Sequence, residues 1–155
     1  DVCSSDLHAH IAPQSMKKLN KAGAQFGALP YVQAMTDVTG FGLLGHLSEM
    51  CEASSVSAIV HIDKVPTIDR TILDHYLNQK CVPGGTIRNW DSYGHKVAGV
   101  DDYRRNLLAD PQTSGGLLFG VARENLSAFE TRAKEINQPY WVIGEAREGK
   151  GIEVG

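Results

Sequence analysis

Gly40, Gly42 and Gly45 spell G-x-G-x-x-G where a predicted strand meets a predicted helix, and Asp37 stands just ahead of them. Glycines let a turn bring its backbone N–H groups close to an anion, and a carboxylate at a strand end beside hydroxyls can hold a hard cation. Two chemistries compete for this turn. Dinucleotide binding would use Gly40, Gly42 and Gly45 on a pyrophosphate, with Asp63 at the end of the next strand as the ribose carboxylate. Against it, Thr36, Asp37 and Thr39 make the entering strand polar, whereas the first strand of a dinucleotide fold is normally a buried apolar run. The second chemistry is phosphate and magnesium binding with Asp37 as a ligand. One aspartate is not a site, because Mg²⁺ usually takes one or two carboxylates together with phosphate and water. Read alone, Asp37 is a helix N-terminal cap or surface residue sooner than a ligand, and the glycines are a turn that lets helix and strand pack closely.

Two further blocks combine glycine with polar side chains. Asp110-Pro111-Gln112-Thr113-Ser114-Gly115-Gly116 reads either as a plain strand-entry loop or as the wall of a polar cleft, with hydroxyls and N–H groups open to an anion. Pro83-Gly84-Gly85-Thr86-Ile87-Arg88-Asn89, continuing to Ser92-Tyr93-Gly94-His95, sets a guanidinium and an amide beside another glycine pair. Arg88 could neutralise phosphate, although most lone arginines are simply solvated. The six histidines form no ligand set; His46 is one helix residue beside a glycine. Cys3, Cys51 and Cys81 are odd in number, far apart and without a C-x-x-C pair, which argues against a disulfide framework and a zinc site.

The elements that must position these residues follow from periodicity. Met16, Leu19, Gly23 and Phe26 predict a helix over 16–27. Residues 31–38 predict a strand, Phe41, Leu44, Leu47 and Cys51 one face of a buried helix, and the β-branched run 56–62 a second strand. A helix over 68–78, a turn at Pro83-Gly84-Gly85, an aperiodic stretch over 86–99 and a helix over 103–108 come next. A strand over 117–122, a helix over 126–136 and a closing hairpin of 140–143 with 152–154 complete the chain. Helices and strands interleave without strict alternation, so the class is α+β, an α/β sandwich with helices packed on a mixed sheet.

The chain has 155 residues, with 15 basic and 18 acidic side chains spread without long runs. That is one domain or the larger part of one. A net charge of −3 argues against nucleic acid or an anionic membrane as partner. Without an apolar run long enough to span a bilayer or a signal-peptide pattern, and with unpaired cysteines, a reducing cytoplasm is the expected compartment.

Taken together, Thr36-Asp37-Val38-Thr39-Gly40-Phe41-Gly42-Leu43-Leu44-Gly45-His46-Leu47, the block 83–94 and the block 110–116 resemble the selenophosphate synthetase family, the selenide, water dikinases. The resemblance covers residues 15–155 and corresponds to the family's C-terminal domain, of the kind shared with aminoimidazole ribonucleotide synthetase. Residues 1–14 do not resemble it and are expected to be an unmatched, disordered or artefactual segment.

The resemblance implies ATP as substrate, Mg²⁺ as cofactor and selenide as phosphoryl acceptor, giving selenophosphate, AMP and phosphate for selenocysteine and selenouridine synthesis. Asp37 matches a metal-ligating aspartate of the family. Thr39, Gly40 and Gly42 would shape a phosphate-facing loop, with Thr113 and Ser114 on the cleft wall. The family's catalytic cysteine or selenocysteine and its lysine belong to an N-terminal ATP-binding domain, so neither Cys3 nor Lys17 takes those roles. No catalytic residue is expected here, and the chain alone is expected to be inactive. The full enzyme would be a homodimer formed largely through the N-terminal domain. A related ATP-using ligase or kinase, a dinucleotide-binding module and a noncatalytic scaffold remain the alternatives.

Overall fold

A computed structural model describes residues 8–155. Cys3 and the other residues of 1–7 lie outside the described residues. Short helices α1 (Ile11–Met16) and α2 (Gly23–Phe26) lead into strand β1 (Val32–Asp37) and helix α3 (Gly42–Ser54). Strand β2 (Val56–Val60), helix α4 (Arg70–Asn78), helix α5 (Gly84–Tyr93), strand β3 (Val97–Ala98) and helix α6 (Asp102–Leu108) follow. The chain ends with strand β4 (Leu117–Val121), helix α7 (Leu126–Glu135) and strands β5 (Gly144–Glu148) and β6 (Ile152–Val154).

Two sheets result. β1 and β4 form an antiparallel pair, with Asp37 opposite Leu117. The other sheet has the order β3-β6-β2-β5, where β2 runs antiparallel to β5 and parallel to β6, and β3 parallel to β6. This is the mixed sheet with packed helices expected of the α+β class.

The larger core joins α3 (Leu44, Cys51), β2 (Ala58, Val60), α5 (Tyr93), α6 (Leu108) and β6 (Ile152, Val154). β2 is rich in the branched and small residues that a pleated surface favours, and it lies between two neighbouring strands. α3 stops where Ser55 turns left-handed at φ 56° and its N–H caps the carbonyls of Cys51 and Glu52. A second core holds Phe26, Phe129 and Ala133, with the Phe26 and Phe129 rings stacked at 4.8 Å and Phe119 of β4 beside them. The two-stranded sheet is thereby braced by α2 and α7.

Four expectations are corrected. The helix over 16–27 does not form: α1 ends at Met16, α2 has four residues, and Leu19 is 86% exposed. Asn20 instead sends its amide to the Gly115 carbonyl at 2.8 Å, and Gly23, a poor helix former, approaches Leu117. Pro83-Gly84-Gly85 begins α5, with Pro83 at the cap and Gly85 packed on Pro111. The closing hairpin is absent, because β5 starts only at Gly144 and β2 lies between β5 and β6. Gly149 (φ 124°) and Gly151 (φ 83°) carry the chain past the end of β2, a path open to glycine. Of the cysteines, Cys51 is a free thiol in the core, whereas Cys81 is disulfide-bonded.

Candidate functional site

The three sequence blocks meet where the loop after β1, the segment before β4 and helix α5 come together. β1 runs out at Asp37, which is exposed, and the chain continues through Thr39 and Gly40 into the N-terminus of α3. Against this loop lies the segment leading from α6 into β4: Gln112 donates its N–H to the Thr39 carbonyl at 2.9 Å, and Val38 donates to Gly116 at 2.9 Å. Gly115 has the Val38 oxygen where a side chain would begin, only 2.2 Å from an added Cβ. No other residue fits that crossing.

α5 locks the two loops from behind. The buried Asn89 amide donates to the Gly40 carbonyl at 2.8 Å and to the Ala109 carbonyl at 2.9 Å, filling both donor positions. One helical turn on, the Tyr93 hydroxyl donates to the Phe41 carbonyl at 2.6 Å. One turn back, the fully buried Thr86 hydroxyl donates to Asp110 Oδ1 at 3.3 Å, while Gln112 Nε2 donates to Oδ2 at 2.7 Å. Three successive polar positions of one helix face therefore hold four points of the glycine loops.

This packing sets the local electrostatics. Burial pushes the Asp110 carboxyl up from its ordinary value, and the bonds from Thr86 and Gln112 offset part of that. Burial likewise pushes the Tyr93 hydroxyl up to about 12, with the Gly45 N–H acting in the opposite direction. At the start of α3, Thr39 Oγ1 lies 3.1 Å from His46 Nε2, and His46 Nδ1 lies 3.1 Å from Glu49 Oε2.

The expected site residues separate clearly. Asp37, Gly40, Thr113 and Ser114 are exposed around the junction, with Ser114 left-handed at φ 54°, and Thr39 is half-buried beside them. Gly42 is buried in packing: at φ 69°, an added Cβ would meet the Ala109 carbonyl carbon at 2.7 Å. Gly45 faces the Tyr93 ring in the same way. Arg88 is exposed on α5, away from the buried face that carries Asn89.

The dinucleotide reading fails on topology. β1 and β2 belong to different sheets, so the parallel β-α-β unit is missing, and two of the three fingerprint glycines are taken up by packing. Asp63 lies in a short 3₁₀ turn (Ile62–Lys64) and lines a shallow hollow with Pro66, Trp141 and Val142. Among the described residues no group of three or more His, Cys, Asp or Glu side chains could hold a metal ion. Asp37 accordingly has no full set of metal ligands around it among the described residues. Sequence reasoning named Asn89 and His46 without assigning them, and it missed Thr86, Tyr93 and Asp110 as the groups that join the blocks.

Comparison with known proteins finds similar chains and a matching family. A selenide, water dikinase of Aeromonas hydrophila is 57% identical over 144 residues, which is 93% of this chain and 41% of that protein. A selenide, water dikinase of Pseudomonas putida is 47% identical over 146 residues, 93% of this chain and 42% of that protein. The chain thus spans about two-fifths of the length of these curated relatives. Among solved structures, a thiamine-monophosphate kinase from Stenotrophomonas maltophilia shares the fold, with a TM-score of 0.54 at 24% identity over 80% of this chain and 31% of its own. The family described as AIR synthase related protein, C-terminal domain, matches residues 5–155, and the chain belongs to that family.

Proposed function

We propose that this chain is the C-terminal domain of a selenide, water dikinase, which forms selenophosphate, AMP and phosphate from ATP, hydrogen selenide and water. The observation that carries the reading is the meeting of the three blocks at one exposed junction, in a chain 57% identical to a selenide, water dikinase over 93% of its length. Helix α5 holds the two glycine loops rigidly, so Asp37, Thr39, Gly40, Thr113 and Ser114 are presented from fixed backbone. A rigid presentation suits phosphoryl transfer, in which the protein contributes chiefly positioning and charge neutralisation.

In this reading Asp37 is the chain's one ligand to Mg²⁺. The bound ion would neutralise phosphate charge during transfer. Thr39 and Gly40 would shape the loop whose backbone faces the phosphates, and Thr113 and Ser114 would form the opposite wall. A separate N-terminal domain supplies the ATP-binding surface, the catalytic residues and the other magnesium ligands, so this chain alone makes no selenophosphate. The complete enzyme is a cytoplasmic homodimer without nucleic-acid or membrane partners; the net charge of −3 fits the former, and no described helix is long and apolar enough to cross a membrane.

The test is selenide-dependent AMP formation after mixing this chain with a separately expressed N-terminal domain of a selenide, water dikinase. Native chain should restore turnover, Asp37→Ala should not, and the chain alone should release no AMP. Turnover undiminished in Asp37→Ala would remove the metal-ligand assignment. A native mixture that stays inactive, beside an active fused two-domain control, would count against the whole reading.

A further inference from the structure

Within the site just described, one side-chain chain reaches from Thr39 of the loop into α3, where the proposed reaction gives His46 and Glu49 no role. Thr39 Oγ1 lies 3.1 Å from His46 Nε2, and His46 Nδ1 lies 3.1 Å from Glu49 Oε2. The His46 side chain is 11% exposed and Glu49 61%. Phe41 covers the imidazole from the loop side, ring centroid to ring centroid 5.7 Å. Three neighbours therefore fix the ring, and their chemistry fixes its proton.

A carboxylate has no hydrogen to donate, so the 3.1 Å contact with Glu49 requires Nδ1 to be the protonated nitrogen. In the neutral imidazole Nε2 is then a bare lone pair and can only accept. Its partner, the Thr39 hydroxyl, must donate. A hydroxyl has a single hydrogen, and here it is committed inward, which leaves only acceptor lone pairs on the side away from His46.

We propose that His46, oriented by Glu49, is a positioning residue that accepts the hydrogen bond of the Thr39 hydroxyl and so presents the Thr39 oxygen as an acceptor. The role rests on the proposed phosphoryl transfer. An acceptor oxygen repels phosphate oxygens and receives the hydrogens of a cation's bound water. Thr39 is thus assigned to the hydration shell of a divalent cation, not to phosphate, whose recognition stays with the backbone N–H groups of the loop.

The first arm of the test uses the chain alone and no activity. Long-range proton–nitrogen correlation of the ¹⁵N-labelled chain at about pH 8 reads which His46 ring nitrogen carries hydrogen. A proton on Nδ1 and a bare Nε2 are expected, and the preference should weaken in Glu49→Ala. A proton on Nε2 would overturn the proposal.

The second arm uses the two-domain mixture. His46→Asn is too short to reach Thr39, whereas the amide oxygen of His46→Gln stands where Nε2 stood. His46→Asn should lower kcat about tenfold with little change in KM for ATP, the size of one lost oriented hydrogen bond, and His46→Gln should recover most of that loss. Thr39→Val should match His46→Asn, and Thr39→Ser should resemble native. Equal losses in His46→Asn and His46→Gln would refute the positioning role. If the native mixture were inactive the proposed function would fail, and the tautomer would still decide this inference.

Discussion

Asn89 and Gly40 are joined by a 2.8 Å hydrogen bond from a buried side-chain amide to a loop carbonyl, and the second amide hydrogen reaches Ala109 at 2.9 Å. One residue thus ties the loop after β1 to the loop before β4. Asn89→Ala removes both bonds and leaves two carbonyls without their partner, for a predicted loss of about 2–4 kcal/mol. Asn89→Asp should be worse, since a carboxylate facing two carbonyl oxygens has nothing to donate. Urea unfolding checks both: the midpoint should fall with the slope unchanged. A loss below about 0.5 kcal/mol in Asn89→Ala would show that the loops do not depend on this tie.

Two glycines of one motif should respond oppositely to alanine. At Gly42 the backbone is left-handed at φ 69°, and an added Cβ would lie 2.7 Å from the Ala109 carbonyl carbon and 2.9 Å from the Asp110 oxygen. Those neighbours are backbone and cannot swing aside, so Gly42→Ala is predicted to cost about 2–4 kcal/mol from conformational strain and overpacking. At Gly40 nothing lies within 4 Å of an added Cβ. Gly40→Ala should leave stability unchanged or raise it by up to about 1 kcal/mol through the unfolded chain. Thermal melts of the pair are sufficient, and equal melting temperatures for the two variants would contradict the assignment.

Tyr93 gives a titration that can be followed by ultraviolet absorbance. Its hydroxyl is buried and its pKa raised from 10.0 to about 12. A raised folded pKa means that the folded state holds its proton longer than the unfolded state, so stability falls as pH rises through that interval. Tyr93→Phe should flatten the alkaline end of the stability profile by removing this contribution. At neutral pH it should cost about 1 kcal/mol for the lost bond to Phe41. An unchanged alkaline slope would show that Tyr93 is not the group responsible.

Much of the scaffold was legible because its signals were apolar and periodic. β1, α3 and β2 follow from branched residues and from the stripe Phe41, Leu44, Leu47 and Cys51, and all three form close to the expected limits. α5 escaped because its buried face is polar: Thr86, Asn89 and Tyr93 recur at helical spacing, but a search for apolar residues passes over threonine and asparagine. β5 escaped for a related reason, since Gly-Glu-Ala-Arg-Glu is an edge strand whose place depends on pairing with β2. Of the candidate site, the three blocks were visible as glycine-rich segments, whereas their junction was not. Hydrogen bonds between Asn89 and two distant carbonyls leave no periodic trace in a sequence, and Gly42 looks the same whether it faces a phosphate or a neighbouring loop.

Asp110 should make the junction sensitive to pH in the direction opposite to an ion-paired carboxylate. Burial, the largest cause, raises its pKa above the ordinary 3.8, while the bonds from Thr86 and Gln112 pull it partly back. The folded state therefore binds the proton more tightly than the unfolded chain does. As pH rises from about 3.8 through the raised value, the unfolded chain ionises first and the folded state loses stability relative to it. Asp110→Asn keeps the size and cannot ionise, and it retains an acceptor for Thr86. Unfolding free energies should fall in the native chain relative to Asp110→Asn across that interval and run parallel above it. A constant difference at every pH would mean that the carboxyl titrates alike in both states, and desolvation at the junction would then be no cost to the charged form.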